Sequence, residues 1–445
     1  LHNIALLSEY IMEHRPVQEE AQNEEAVEKQ VIEITHSTEN NDVVYENVVN
    51  QNSNNLERLV SQQLMIMEKQ LALLSGGSQN VKAVTKASVH KEEEVVVPKK
   101  KVGSYSNNIE LQDEQLSDKQ RQFISAFEKE YIEKTKKSKE YAEENREHLA
   151  DWIASLNFNP SMKQMVYPIV SSKSQGSKFW DIDGNEYIDT AIGYGVSFFG
   201  HRPELVVNAL TDQIDKGFEL GPQNRVAGEV ATLIHDIIGV DRVVFCNTGT
   251  EAVMVALRLA RAVSGRNKIA KFITSFHGSF DGVLAEADGE GSKPMSIGIP
   301  QKMIDDTRVL TYGSMESLDV IRKHGSEMAA ILVEPVQTRN PSLQPREFLH
   351  ELRKICDELG IALIFDEMVT GFRIRLGGAQ EYFGVKADMV LYGKLIAGGM
   401  PIGIVAGDRK YLDAVDGGVW SSKDNSKPSV PTTSFAGTFC KHPLT

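Results

Sequence analysis

The stretch Ile364-Phe-Asp-Glu-Met-Val-Thr-Gly-Phe-Arg373, followed by Tyr392-Gly-Lys-Leu-Ile-Ala-Gly-Gly399, decides the fold. Each begins in an apolar run short enough for a buried strand, then breaks into polar residues and glycine. The first run ends on a carboxylate, Asp366, and 28 residues further on the second ends on Lys394. Working outward, short apolar runs at 242–246, 269–274, 329–333 and 362–365 alternate with helical stretches beyond residue 220. That alternation implies a mostly parallel sheet flanked by helices, an α/β fold. Upstream, Phe179-Trp-Asp-Ile-Asp-Gly-Asn-Glu-Tyr-Ile188 reads as two alternating strands around an Asp-Gly-Asn turn. Ser117-Asp-Lys-Gln120 is a capping box. It opens a charged helix running to about Trp152, with Phe123, Ile124, Phe127 and Tyr131 as its apolar stripe.

The first quarter of the chain has a different character. Residues 1–118 hold 20 acids and 10 bases, and the remainder 42 and 38. Residues 1–15 read as an amphipathic helix, the tail of a domain that begins upstream; the first residue is Leu. Residues 16–118 read as a largely disordered linker, too poor in large apolar side chains to offset chain entropy. Within it, Val60, Leu64, Met67, Leu71 and Leu74 follow the spacing of a short coiled-coil-like helix at 54–74. Residues 119–445 read as the α/β domain. The net charge of −14 argues against a nucleic-acid partner. No apolar run reaches the ~18 to 20 residues of a membrane span. Cys246, Cys356 and Cys440 are few and scattered, which fits a reducing cytoplasm and offers no zinc spacing.

Ligands of open α/β sheets bind beyond the carboxyl ends of the strands, so four strand ends are read as one site. After the first run, Gly249 and Thr250 open a helix whose free N–H groups and dipole favour a phosphate; a plain N-cap is the alternative. After the second, Phe276 is an aromatic that can stack on a planar ring, unless it is simply core. His277 beside it has no second ligand at metal spacing. After the third, Gln337 can donate to a phenolate oxygen, while Glu334 suits a structural acid that satisfies loop amides. The fourth carries Asp366. Asp366 and Lys394 together match one chemistry: an acid that keeps a pyridine nitrogen protonated and a lysine that forms a Schiff base with the same cofactor, pyridoxal phosphate (PLP).

These residues carry a resemblance. Trp180-Asp-Ile-Asp-Gly-Asn-Glu-Tyr-Ile-Asp189, Gly200-His-Arg-Pro203, Asn247-Thr-Gly-Thr-Glu-Ala252, Phe276-His-Gly278, Glu334-Pro-Val336, Asp366 to Arg373 and Gly393-Lys394 resemble the class III PLP-dependent aminotransferases of fold type I. The branch implied is that of glutamate-1-semialdehyde aminomutase, and the resemblance covers roughly 160–445. It implies that Lys394 and Asp366 are catalytic, that Phe276 and Met368 cover the two ring faces, and that Gly249 and Thr250 bind the phosphate. It also implies that His277 and Gln337 belong to the cofactor-binding set. A neighbouring subunit's Gly437-Thr438 would complete the phosphate cup, which implies a homodimer. The resemblance also implies a small C-terminal domain, expected to lie beyond Thr445. The family arginine that binds a free carboxylate is also absent from Asn159–Pro168, where Lys163 stands.

A narrower resemblance rests on Gly193-Tyr-Gly-Val-Ser-Phe-Phe-Gly-His201 and Asn340-Pro-Ser-Leu-Gln-Pro-Arg-Glu-Phe348. These look like aminotransferase domains of hybrid polyketide/nonribosomal peptide synthetases. That implies transamination of a β-ketoacyl thioester tethered to an upstream acyl carrier domain, with glutamate or glutamine as amino donor. The alternative is a free-standing aminomutase or ω-aminotransferase acting on a small soluble substrate.

Overall fold

The computed structural model describes residues 116–152, 158–289 and 291–445. The expected carrier tail at 1–15, the helix at 54–74 and the linker up to residue 115 lie outside the described residues. Helix α1 (Asp118–Lys134) starts at the expected capping box: Ser117 Oγ accepts from Gln120 N at 3.3 Å, and Gln120 Oε1 accepts from Ser117 N at 2.9 Å. The single helix expected to Trp152 is instead two. The backbone leaves helical geometry at Thr135, and α2 (Lys136–Asn145) begins anew. Asp183 explains the restart, because its carboxylate accepts from Lys137 N at 2.7 Å and Ser138 N at 3.1 Å, fixing the free amides of a new first turn. The apolar stripe of α1 also differs from expectation. Phe123 and Phe127 stack at 6.1 Å but stay exposed, while Ile124 and Tyr131 are half-buried, Tyr131 against Tyr167.

The expected hairpin forms with a third strand. β1 (Ser171–Gln175), β2 (Lys178–Asp181) and β3 (Glu186–Ile188) pair antiparallel, with Trp180 opposite Glu186. The turn works because Gly184 takes φ +94 and the Asp181 carboxylate accepts from Asn185 N (2.8 Å) and Tyr187 OH (2.7 Å).

The core is a seven-stranded sheet. Its strands are β4 (Arg242–Cys246), β5 (Lys268–Phe272), β8 (Thr307–Leu310), β9 (Met328–Val333), β10 (Ala362–Asp366), β11 (Met389–Gly393) and β12 (Gly403–Gly407). A separate two-stranded ribbon joins β6 (Ala285–Asp288) to β7 (Gly291–Pro294). The spatial order is β4-β12-β11-β10-β9-β5-β8. Only β12 runs against its neighbours. The strands are buried on both faces, as continuous apolar runs require. Alternation divides them: Leu363 and Phe365 join one apolar cluster, Ala362 and Ile364 the other. Helix α3 (Gly249–Ser264) covers the second face with Ala252, Val253, Ala256 and Leu259. Helix α4 (Arg346–Leu359) covers the first with Phe348, Leu349, Leu352 and Ile355, spaced as one helical stripe. No helix among the described residues is long and apolar enough to cross a membrane.

The sheet centre carries most of the packing, so Ile364→Ala, two residues before Asp366, should destabilise the domain by about 2–5 kcal/mol. A urea midpoint that does not move would refute this.

Candidate active site

Asp366 is the last residue of β10, and Lys394 follows β11 directly. The two strands are parallel, with Asp366 level with Leu391. Lys394 therefore stands three residues beyond that level on the next strand, about 10 Å of chain, at the same end of the sheet. Lys394 opens a short helical turn, Lys394–Ala397, and its φ of +46 is a left-handed conformation that a lysine adopts only when its surroundings enforce it. Gly393 before it leaves no room for a side chain: a Cβ there would lie 2.7 Å from Met368 Sδ and 3.0 Å from the Ile402 carbonyl.

Asp366 is buried and held at both oxygens. One oxygen accepts from Met368 N at 3.1 Å, and the other accepts from His277 Nδ1 at 2.7 Å. The opposite ring nitrogen, His277 Nε2, is buried with no hydrogen-bond partner among the described residues. Met368 spans the site. Its sulfur lies 2.7 Å from a Cβ built on Gly393 and 3.0 Å from one built on Gly249.

Gly249 and Thr250 begin α3 behind the N-cap Thr248, whose hydroxyl accepts from Glu251 N at 3.2 Å. The N–H groups of this first turn have no intrahelical acceptor. Thr250 Oγ1 accepts from Ser279 N at 3.1 Å, and a side chain at Gly278 would overlap Thr250. The two loops thus close on each other. Phe276 presents a ring 46% exposed, and its amide donates to Glu334 at 3.0 Å. Gln337 is less available than expected. Its oxygen accepts from Thr274 Oγ1 at 2.8 Å and one amide hydrogen goes to the Ile273 carbonyl at 2.9 Å, so it anchors the segment leading to Phe276 and keeps one N–H to give. Gly437 and Thr438 are exposed, and a Cβ on Gly437 would lie 3.5 Å from Asn247 Nδ2 of the same chain.

These residues fit PLP on their own geometry. An anion-ready helix start, a buried carboxylate, a lysine at the same end of the sheet and glycines where any side chain would fill the space lie together. Among the described residues no group of His, Cys, Asp and Glu could hold a metal ion.

Three contributors escaped the sequence reading. Arg373 donates to the Val369 carbonyl at 2.7 Å and to the Gly195 carbonyl, and lies 4.9 Å over the Phe198 ring, tying the segment Gly193–Gly200 to the Asp366 loop. Glu367 is buried and accepts from Ala379 N (2.5 Å), Gln380 N (3.1 Å) and Thr370 Oγ1 (2.9 Å). Lys271 is a second buried lysine, donating to the Val283 carbonyl at 2.8 Å. The Asp-Glu dipeptide was the available signal for Glu367, and a lysine inside an apolar run was the signal for Lys271.

A family model described as Aminotransferase class-III matches residues 159–441. The glutamate-1-semialdehyde 2,1-aminomutase of Methanococcoides burtonii is 38% identical over 286 residues, 63% of this chain and 67% of that protein. The protein of the same name from Aquifex aeolicus is 40% identical over 255 residues, 56% of this chain and 60% of its own length. A solved transaminase with PLP bound has a TM-score of 0.61 at 31% identity, over 70% of this chain and 71% of the other. The chain thus spans about two thirds or less of the length of the curated relatives it matches.

These relatives overturn the reading of a synthetase domain acting on a carrier-bound β-ketoacyl thioester. At about 40% identity they are aminomutases. The two segments that suggested a synthetase have local structural reasons. Gly193, Tyr194, Gly195 and Gly200 all take positive φ, so the glycines serve a tightly folded loop. Asn340–Leu343 is a turn closed by Leu343 N donating to the Asn340 carbonyl at 3.1 Å, and Phe348 beyond it is core. The missing arginine therefore no longer argues for a tethered substrate, and Lys163 lies exposed on a short helical turn, Pro160–Met165.

Burial pushes the Lys271 ammonium down to about 8 from its ordinary 10.5. The native state thus binds this proton less tightly than the unfolded chain, and the stability of the neutral form is present above pH 10.5 and lost as pH falls through 8. Relative to Lys271→Met, the wild type should gain thermal stability across that window, and parallel melting curves for the two would refute the assignment.

Proposed function

The chain belongs to the class-III aminotransferase family, whose PLP its site fits, and on that premise we propose that it moves an amino group on a small soluble carbonyl substrate of the glutamate-1-semialdehyde kind. One observation carries the reading: parallel β10 and β11 deliver Asp366 and Lys394 to the same end of the sheet. The ω-aminotransferase variant of the reaction, with glutamate or glutamine as donor, is kept as a second outcome because a PLP-bound transaminase shares the fold at 31% identity.

Bound PLP supplies an electron sink that stabilises negative charge at the substrate carbon. Lys394 would hold the group through its Nζ, and the same amine would carry the proton to and from the reacting carbon. Asp366 would accept the ring N–H, and His277 Nδ1 keeps that carboxylate aimed. The first amides of α3, at Gly249 and Thr250, take the phosphate with help from the helix dipole. Phe276 and Met368 would cover the two faces of the ring, and the remaining N–H of Gln337 would serve the ring oxygen. Gly437 and Thr438 of a second copy complete the phosphate site, so the working form in this proposal is a homodimer. A cytoplasmic setting belongs to the same proposal, supported by three free cysteines.

Lys394→Ala should abolish borohydride-trapped cofactor, and Asp366→Asn should lower turnover on the order of 10²-fold or more with the cofactor still bound. Incubation with glutamate-1-semialdehyde, with and without an amino donor, separates mutase from transaminase by product mass. A chain that carries cofactor on Lys394 yet turns over neither mixture would refute the substrate class.

A further inference from the structure

Glu334 opens the loop after β9 and is 6% exposed. One carboxylate oxygen accepts from Phe276 N at 3.0 Å; the other accepts from Thr338 Oγ1 at 2.9 Å and Thr338 N at 3.4 Å. Three donors therefore converge on a buried group that can only accept. A glutamine would point its own N–H₂ at one of them. The loop it grips is under tension, since Thr274, two residues before Phe276, sits at φ +68. Gln337 and Glu334, both from the loop after β9, are the side chains that tie down residues 273–276.

Glu334 also has an electrostatic effect. Burial raises its carboxyl above the usual range, His277 pulls it back down, and Asp366 pushes it up again. Lys271 and Tyr312 are the other titratable groups that interact with it. One imidazole thus serves two buried carboxylates, one hydrogen-bonded to it and the other gripping the amide of the residue before it.

We propose that Glu334 is a positioning residue for the cofactor site: its grip on the Phe276 amide aims the Phe276 ring and seats His277 against Asp366, so it acts on the bound ring through both neighbours without touching it. The inference rests on the functional reading above.

The test uses the full 445-residue chain and two measurements, the dissociation constant for PLP and the pH midpoint of the absorbance of the bound cofactor. Glu334→Gln should weaken PLP binding about tenfold or more, as expected for loss of a charge-assisted hydrogen bond, and should move the pH midpoint. Glu334→Asp keeps the charge with a shorter reach; it should restore the midpoint while binding stays weaker than wild type. A Glu334→Gln protein that melts earlier but keeps both the dissociation constant and the midpoint would show a merely structural role and overturn the proposal. If Glu334→Gln does not fold, Thr338→Val removes a single donor, and an unmoved midpoint there overturns it equally. Wild type that takes up no PLP at Lys394 would bring down the functional reading itself, and this inference with it.

Discussion

Parallel pairing of β10 with β11 is the constraint on which the rest depends. Two strands of like polarity end at the same edge, so whatever follows each is delivered to one place. Both strands are wholly buried, and each residue that packs above or below the sheet fixes the register by one more contact. A slip of one residue would turn Asp366 to the opposite face and exchange the side chains that fill the two apolar clusters. The precision of the acid–lysine arrangement is thus inherited from hydrophobic packing well away from the reacting atoms.

Around that edge the loops brace each other. Met368 fills the space between two glycines that come from different strand ends, Ser279 bonds to the hydroxyl of Thr250, and Gln337 and Glu334 hold the segment before Phe276. Each contact joins loops distant in sequence, so the rim of the site is cross-braced. The glycines are needed where a neighbouring loop passes too close for any side chain.

Much of this was legible in the sequence, for identifiable reasons. Runs of four to six apolar residues have few alternatives to a buried strand, and those at β4, β5, β9 and β10 fall within two residues of their expected bounds. The capping box of α1 and the Asp-Gly-Asn turn are local interactions and could be read locally. What was missed depends on distant partners. β12 carries glycines at both ends and pairs antiparallel between β11 and β4, which no periodicity announces. The break at Thr135 depends on Asp183 of a later hairpin, and the exposure of Phe123 and Phe127 shows that an apolar stripe does not say what it will meet. The carrier-bound substrate was inferred from loop motifs whose glycines turn out to serve the backbone.

The backbone angle at Lys394 has a wider implication. A residue at φ +46 is one that glycine would occupy at less conformational cost. Random drift under selection for thermal robustness alone would thus tend to erase the amine, and only continued demand for turnover retains it. In a duplicated copy released from that demand, this is a position where decay into a sturdier, inert relative should begin.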